Sequence, residues 1–320
     1  MAKNSQQIKT RKKVLPIFLQ YGFVFVVIIL MLIMAIISPV FFSATNILNL
    51  LRQISVTGIA ALGATFVILI GEIDLSVAST IALGGVFYAS LQFLMPVPIA
   101  VIVTLAITMT VGFINGVITT KGDIASFAVT LGTMGAIRGF ALLYANGRPI
   151  FGLKESARWM GMRYAGPIPL PVIFLIIAVI VAIYTLRMTR YGRHVYAVGG
   201  NEEASYLGGL NVHLIKIMAF ALAGLSAGFG GVLMTSRLGS GDPIAAAGYE
   251  FDVIASVVIG GTSLRGGVGS AQGTLLGALL MGVITNGLNL QGVNPYWQQI
   301  AKGLIIVLAV FIDRQKRRFS

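Results

Sequence analysis

The chain has 320 residues, of which 57% are hydrophobic and 10% charged, against roughly 45–50% apolar and 25% charged in a soluble domain; that much apolar surface excludes a water-soluble core. The formal net charge is +13, but the basic residues gather at the two termini and in one central loop beside apolar runs, a pattern of membrane topology and not of nucleic-acid binding. There is no cysteine, which excludes disulfides, thiolate metal sites and cysteine nucleophiles.

The chain begins with Lys3, Lys9, Arg11, Lys12 and Lys13 ahead of an apolar run over 17–37. That run is too long for a signal-peptide core and ends in Ser38-Pro39-Val40-Phe41-Phe42 instead of a small-x-small cleavage site, so it is expected to remain as the first span. Further spans are predicted near 54–70, 77–95, 97–119, 124–145, 167–186, 215–235, 246–264, 268–290 and 297–312. Ten transmembrane helices, an even number, put both termini on one side, and Arg314, Lys316, Arg317 and Arg318 match the basic start, so both are assigned to the cytoplasm. The resulting division is a basic cytoplasmic tail over 1–14, a single transmembrane domain over 15–313 with a cytoplasmic loop over 187–216, and a basic cytoplasmic tail over 314–320. The loop over 146–166 is assigned outside although it carries Arg148, Lys154, Arg158 and Arg163. The eighth span is the weakest, because its purely apolar run from Val253 to Ile259 covers only about 10 Å; a short, broken crossing keeps the C-terminal charges inside. Gly224 with Gly228, and Gly273 with Gly277, show the small-xxx-small spacing of helices that approach closely in lipid.

Chemistry-bearing residues are few. No Gly-Lys pair occurs anywhere, so there is no P-loop, and no cofactor is expected in this chain. His194 and His213 lack any metal-ligand spacing. Glu72 and Asp74 share a span boundary, where Asp74 is expected to N-cap the third span. Arg138 lies within the fifth span, close enough to its outer end to snorkel, and is a candidate for an acidic partner or for the path. Lys302 is expected as an interfacial anchor or bundle contact. No paired catalytic groups argue for an enzyme.

The central loop holds the most structured polar sequence. Asn201 is a good N-cap, Glu202 and Glu203 suit the positive end of a helix dipole, and Gly208-Gly209 is a stop, which predicts about two helical turns beneath the membrane.

This loop, with Phe41-Phe42-x-x-x-Asn46, Gly71-x-Ile73-Asp74-Leu75-Ser76-Val77, Gly260-Gly261-Thr262-Ser263-Leu264 and Asn286-Gly287-Leu288-Asn289, resembles the ribose-type permease subunits of bacterial ABC sugar importers, from about Pro39 to Asp313. The resemblance implies an all-α inner-membrane protein that pairs into a homodimer, receives sugar from a periplasmic binding protein and is driven by a cytoplasmic ATP-binding-cassette ATPase with two nucleotide sites. It places ATPase coupling on Gly199, Gly200, Asn201, Glu202, Glu203, Ala204 and Gly209. Glu72 stands where the family commonly has glycine, and so does Ala78. Glu72, Asp74, Arg138, Asn286 and Asn289 are the candidate polar residues of the path or bundle. Two short sequence matches suggest that spans 2–5 and 7–10 form related halves. The cargo expected is a monosaccharide, a ribose-like pentose, hexose or related polyol. The alternatives are an ABC permease for another small solute, such as branched-chain amino acids, and an ion-coupled secondary transporter, which would need ionisable groups near the membrane midplane.

Overall fold

The computed structural model describes residues 25–318; the basic start, the first part of the first predicted span and the last two residues lie outside them. In chain order the elements are α1 (Phe25–Ile37), α2 (Ala44–Leu69), α3 (Val77–Leu94), α4 (Val97–Lys121), α5 (Ser126–Tyr144), α6 (Glu155–Met162), β1 (Tyr164–Ala165), β2 (Ile168–Pro169), α7 (Leu170–Met188), α8 (Arg190–Gly200), α9 (Glu202–Leu207), α10 (Val212–Leu238), α11 (Tyr249–Ile259), α12 (Ala271–Leu290) and α13 (Pro295–Arg318). The only sheet among the described residues is the antiparallel pair β1–β2.

Seven of these helices, α2, α3, α4, α5, α7, α10 and α12, are long and apolar enough to cross a membrane, and α1 is a shorter apolar helix. The predicted eighth span shrinks to α11, whose 11 residues reach about 16 Å. Lipid cannot hydrogen-bond exposed backbone, so helices that close their own hydrogen bonds are the solution available to such a sequence. Their ends are written locally: Ser43 Oγ accepts from Asn46 N, Asn211 Oδ1 from Leu214 N and Ser270 Oγ from Gly273 N, each satisfying a first-turn amide.

The bundle is built around α10, which lies against α2, α3 and α4, while α2 also meets α7, α11 and α12. Of the most apolar stretch of α2, 83% is buried within the protein, against 22% for α5, so α2 is a central helix and α5 a peripheral one. Close approach is made on glycine. A Cβ on Gly224 would stand 2.3 Å from the Thr108 carbonyl oxygen of α4, and one on Gly277 would stand 1.9 Å from that of Ser256 in α11. Backbone-on-backbone packing of this kind gives dispersion contact where lipid offers no hydrophobic drive.

Two turns are alike. After α2, Gly71 (φ 82°) donates to Ile68 O and Glu72 N to Val67 O; after α11, Gly261 (φ 89°) donates to Val258 O and Thr262 N to Val257 O. Both are Schellman closures, which need a left-handed residue at that position, a conformation glycine adopts without steric cost. The loop that follows the second turn reaches the end of α2, where Gly267 N donates to Leu69 O at 2.8 Å.

The structure corrects two local expectations. Ser76, not Asp74, is the N-cap residue of α3, and it makes no side-chain cap bond. Asp74 Oδ1 instead accepts from Ser76 N at 2.8 Å and Ser76 Oγ at 2.6 Å, a turn that closes two residues early. The central loop is also more helical than expected: ahead of the predicted α9 lies the 11-residue α8, which runs through Gly192, Gly199 and Gly200 although glycine is a poor helix former.

Candidate functional site: the α8–α9 face

The α7 helix joins the β1–β2 pair to α8, so α6 and the α8–α9 element sit at opposite ends of the bundle. At the α9 end, Asn201 Oδ1 accepts from Ala204 N at 2.9 Å and Ser205 Oγ donates to Asn201 O at 2.8 Å. Glu202 and Glu203 occupy the first turn, where their charge opposes the helix dipole. Gly208 caps the other end and Gly209 follows at φ 82°, with Gly209 N donating to Tyr206 O and Leu210 N to Ser205 O. The helix is thus closed at both ends by its own residues, and only Ser205 of its side chains is buried.

Of the seven residues assigned to coupling, Gly200, Asn201, Glu202, Glu203, Ala204 and Gly209 are exposed and Gly199 is half-buried. Beside them the structure presents two residues not singled out from the sequence: Tyr206 is 66% and Leu207 79% exposed. An aromatic and a leucine held out from a rigid, capped helix are suited to burial against a protein partner. Their signal in the sequence was a pair of apolar residues on a helix too short to have a core face.

α8 fastens this helix to the bundle. Thr189 Oγ1 caps it through Gly192 N, and Gly192, Val195 and Val198 are buried. Tyr196 donates its hydroxyl to Gly269 O at 2.9 Å, and Tyr191 donates to Ile215 O at 3.3 Å with its ring stacked on Phe66. Burial pushes both phenols above their ordinary range, so both keep the proton these bonds use. At its end a Cβ on Gly199 would lie 1.8 Å from Leu69 O and 2.5 Å from Gly267 N. The ends of α2, α8 and the α11–α12 turn therefore meet backbone to backbone at this point, beside the contacts of Tyr191 and Tyr196.

Lys216, in the first turns of α10, adds a charged link. Its ammonium lies 2.7 Å from the Glu72 carboxylate and 2.8 Å from that of Glu202. Glu72, placed by sequence at a span boundary without an assigned partner, thereby shares the Lys216 ammonium with Glu202 of the α9 end. A cavity of about 190 Å³ opens beside the three residues, lined also by His213, Asp123 and Thr119.

The other candidate polar residues sit in contacts within the bundle. Asp74 is buried, and desolvation raises its carboxyl against the opposing effect of the Ser76 bonds. Asn286 and Asn46 exchange amide hydrogen bonds at 2.9 Å, and Asn46 Nδ2 also reaches Phe41 O. Gln298 donates to Asn289 Oδ1 at 2.8 Å, tying α13 to α12. Arg138 donates to the Pro243 carbonyl, and Lys302 pairs with Asp252 at 2.8 Å. None of these is brought to the α8–α9 face. A separate cavity of about 470 Å³ between α2, α7 and α10 is lined by Leu62, Phe66, Phe174, Leu222 and Phe229 among others. Its apolar wall lacks the convergent hydrogen-bonding groups a sugar needs.

Comparison with known proteins assigns the whole chain. Residues 46–310 match the family described as the permease component of the branched-chain amino acid transport system. The ribose import permease of Haemophilus influenzae is 47% identical over 291 residues, covering 89% of this chain and 90% of the relative. That of Bacillus subtilis is 43% identical with 90% of each chain covered. The xylose transport system permease of Haemophilus influenzae is 33% identical, covering 87% of this chain and 91% of the relative. No solved structure matches it. Apolar bundle, structured polar loop and extended similarity agree: the chain belongs to the ABC-importer permease family that includes the ribose import permeases.

Proposed function

We propose that this chain is the membrane-spanning permease of an ATP-driven importer that moves a monosaccharide across the inner membrane by alternating access. The observation that carries the reading is identity of 43–47% to ribose import permeases over about nine-tenths of the chain. Such a machine opens its path to one side at a time, so it needs two global states and an energy source that biases them. The capped, outward-facing α9 is the element suited to receive that bias, with Gly199, Gly200, Asn201, Glu202, Glu203, Ala204 and Gly209 forming the contact with a separate ATPase subunit bearing two nucleotide sites. Exposed Tyr206 and Leu207 support this assignment. This chain itself carries no cofactor in the reading.

The finer picture keeps ten crossings, with both termini and the 187–216 loop in the cytoplasm, basic tails over 1–14 and 314–320, and one transmembrane domain over 15–313. Related halves, spans 2–5 and 7–10, belong to the same reading. Two copies enclose the path, and a periplasmic binding protein delivers the sugar on the other side. Branched-chain amino acids, named in the description of the matching family, are the second reading for cargo.

The test is uptake by proteoliposomes holding this chain with its ATPase subunit, ATP inside, and labelled ribose, xylose or leucine outside with the corresponding binding protein. ATP-dependent sugar uptake that is lost in Glu203→Arg is the expected result. Uptake of leucine but neither sugar assigns the second cargo, and uptake by this chain alone on an ion gradient overturns the proposal.

A further inference from the structure

An ammonium buried in a membrane protein is expensive unless paired, and leaving one unpaired costs several kcal/mol. Lys216 is held by two carboxylates, one more than neutralisation requires. The two arms differ. The Glu72 side chain is 16% exposed beside a lysine at 10%, and it stands directly after the Gly71 turn. The Glu202 side chain is 55% exposed and rides on the six-residue α9, whose boundary at Gly208-Gly209 leaves it attached to the bundle by few side-chain contacts. Glu202 is therefore the arm that can leave: water solvates its carboxylate at little penalty, and Glu72 keeps Lys216 paired. The adjoining cavity gives the freed ammonium face room for water.

We infer that Lys216 is a positioning residue of energy coupling, a fixed cation that holds α9 to the α2–α3 turn through a releasable bond to Glu202, with Glu72 as its permanent counterion. The inference rests on α9 being the ATPase-docking helix. Its sign is specific. Removing the charge of Glu202 loosens α9 from Lys216 and leaves it held through α8 alone, so more ATP is hydrolysed for each sugar moved. Removing the charge of Glu72 leaves Lys216 a single counterion and tightens the bond that must open, so both hydrolysis and uptake slow.

The experiment uses the reconstituted complex of permease, ATPase subunit and binding protein, with uptake and ATP hydrolysis measured together for wild type, Glu202→Gln, Glu72→Gln and Lys216→Met. Glu202→Gln is expected to raise ATP hydrolysed per sugar moved by about fivefold, the equivalent of a partly exposed ion pair. Lys216→Met raises the same ratio. Glu72→Gln is expected to lower both rates about fivefold, with their ratio held. The two glutamine variants keep side-chain shape, so they remain informative where Lys216→Met folds poorly. A ratio that shifts in the same direction for Glu72→Gln and Glu202→Gln, or that stays at the wild-type value in Glu202→Gln, overturns the inference. Absence of ATP-driven uptake in the wild type overturns the proposed function instead.

Discussion

Each end of the bundle carries a short helix, and the two are held in opposite ways. α6 is clamped by buried donors: the Ala157 carbonyl receives Tyr88 Oη at 2.7 Å and Ser236 Oγ at 2.9 Å, and Lys154 ahead of the helix both donates its backbone N–H to Gln92 Oε1 and its ammonium to Gln92 O. α9 shows most of its surface to solvent and is tied to the bundle through Glu202 and Lys216. A buried hydrogen bond gains from low dielectric and is costly to leave unmade, whereas an ion pair with one partner half open to solvent is partly screened. One end is therefore held firmly and the other more lightly, an asymmetry that suits the proposed drive from one side.

The largest expected effect comes from forcing the rigid end apart. A Cβ on Gly161 would lie 2.3 Å from Arg237 N and 2.6 Å from Ser236 C, so Gly161→Val displaces α6 from α10 at about 3 kcal/mol or more. Size-exclusion chromatography in detergent is expected to show loss of the monodisperse protein. A smaller effect sharpens the contrast: Tyr88→Phe removes one of the two donors to Ala157 O, lowering stability by about 1 kcal/mol, with thermal unfolding in detergent shifted down and ATP hydrolysed per sugar kept at the wild-type ratio. Smallest in stability is Asn201→Ala, which costs α9 about 1 kcal/mol of local helix capping and leaves the unfolding temperature of the bundle in place. Hydrogen exchange at Ala204 N is expected to quicken, and a lowered unfolding temperature equal to that of Tyr88→Phe would break the comparison.

Sequence patterning made the bundle legible because lipid imposes length and apolarity on every crossing helix, and α9 was legible because its cap, acidic first turn and glycine stop lie within nine residues. Relations between distant segments were not. Lys216 and Glu72 are 144 residues apart, and nothing local marks either as the other's partner. In the central loop α8 had no local signal, because Gly192, Gly199 and Gly200 are poor helix formers, yet the helix runs through all three, and Gly199 is there for what it touches. Asp74 read as a cap because its residue type suits one, while the chain starts α3 two residues later. The branched-chain description and the ribose relatives show the same limit for cargo, since one fold hosts more than one function.

The meeting of Leu69, Gly199 and Gly267 has a mechanical consequence. A Cβ on Gly199 would stand 1.8 Å from Leu69 O, and Gly267 N donates to that same oxygen, while Tyr196 bonds α8 to Gly269 and Tyr191 stacks on Phe66 of α2. Three chain segments gripped by main-chain and aromatic contacts together pack as one block. A displacement of α8 therefore reaches α2 and the α11–α12 turn at once, and the clearance that lets them lie so close is the missing methyl group of one glycine.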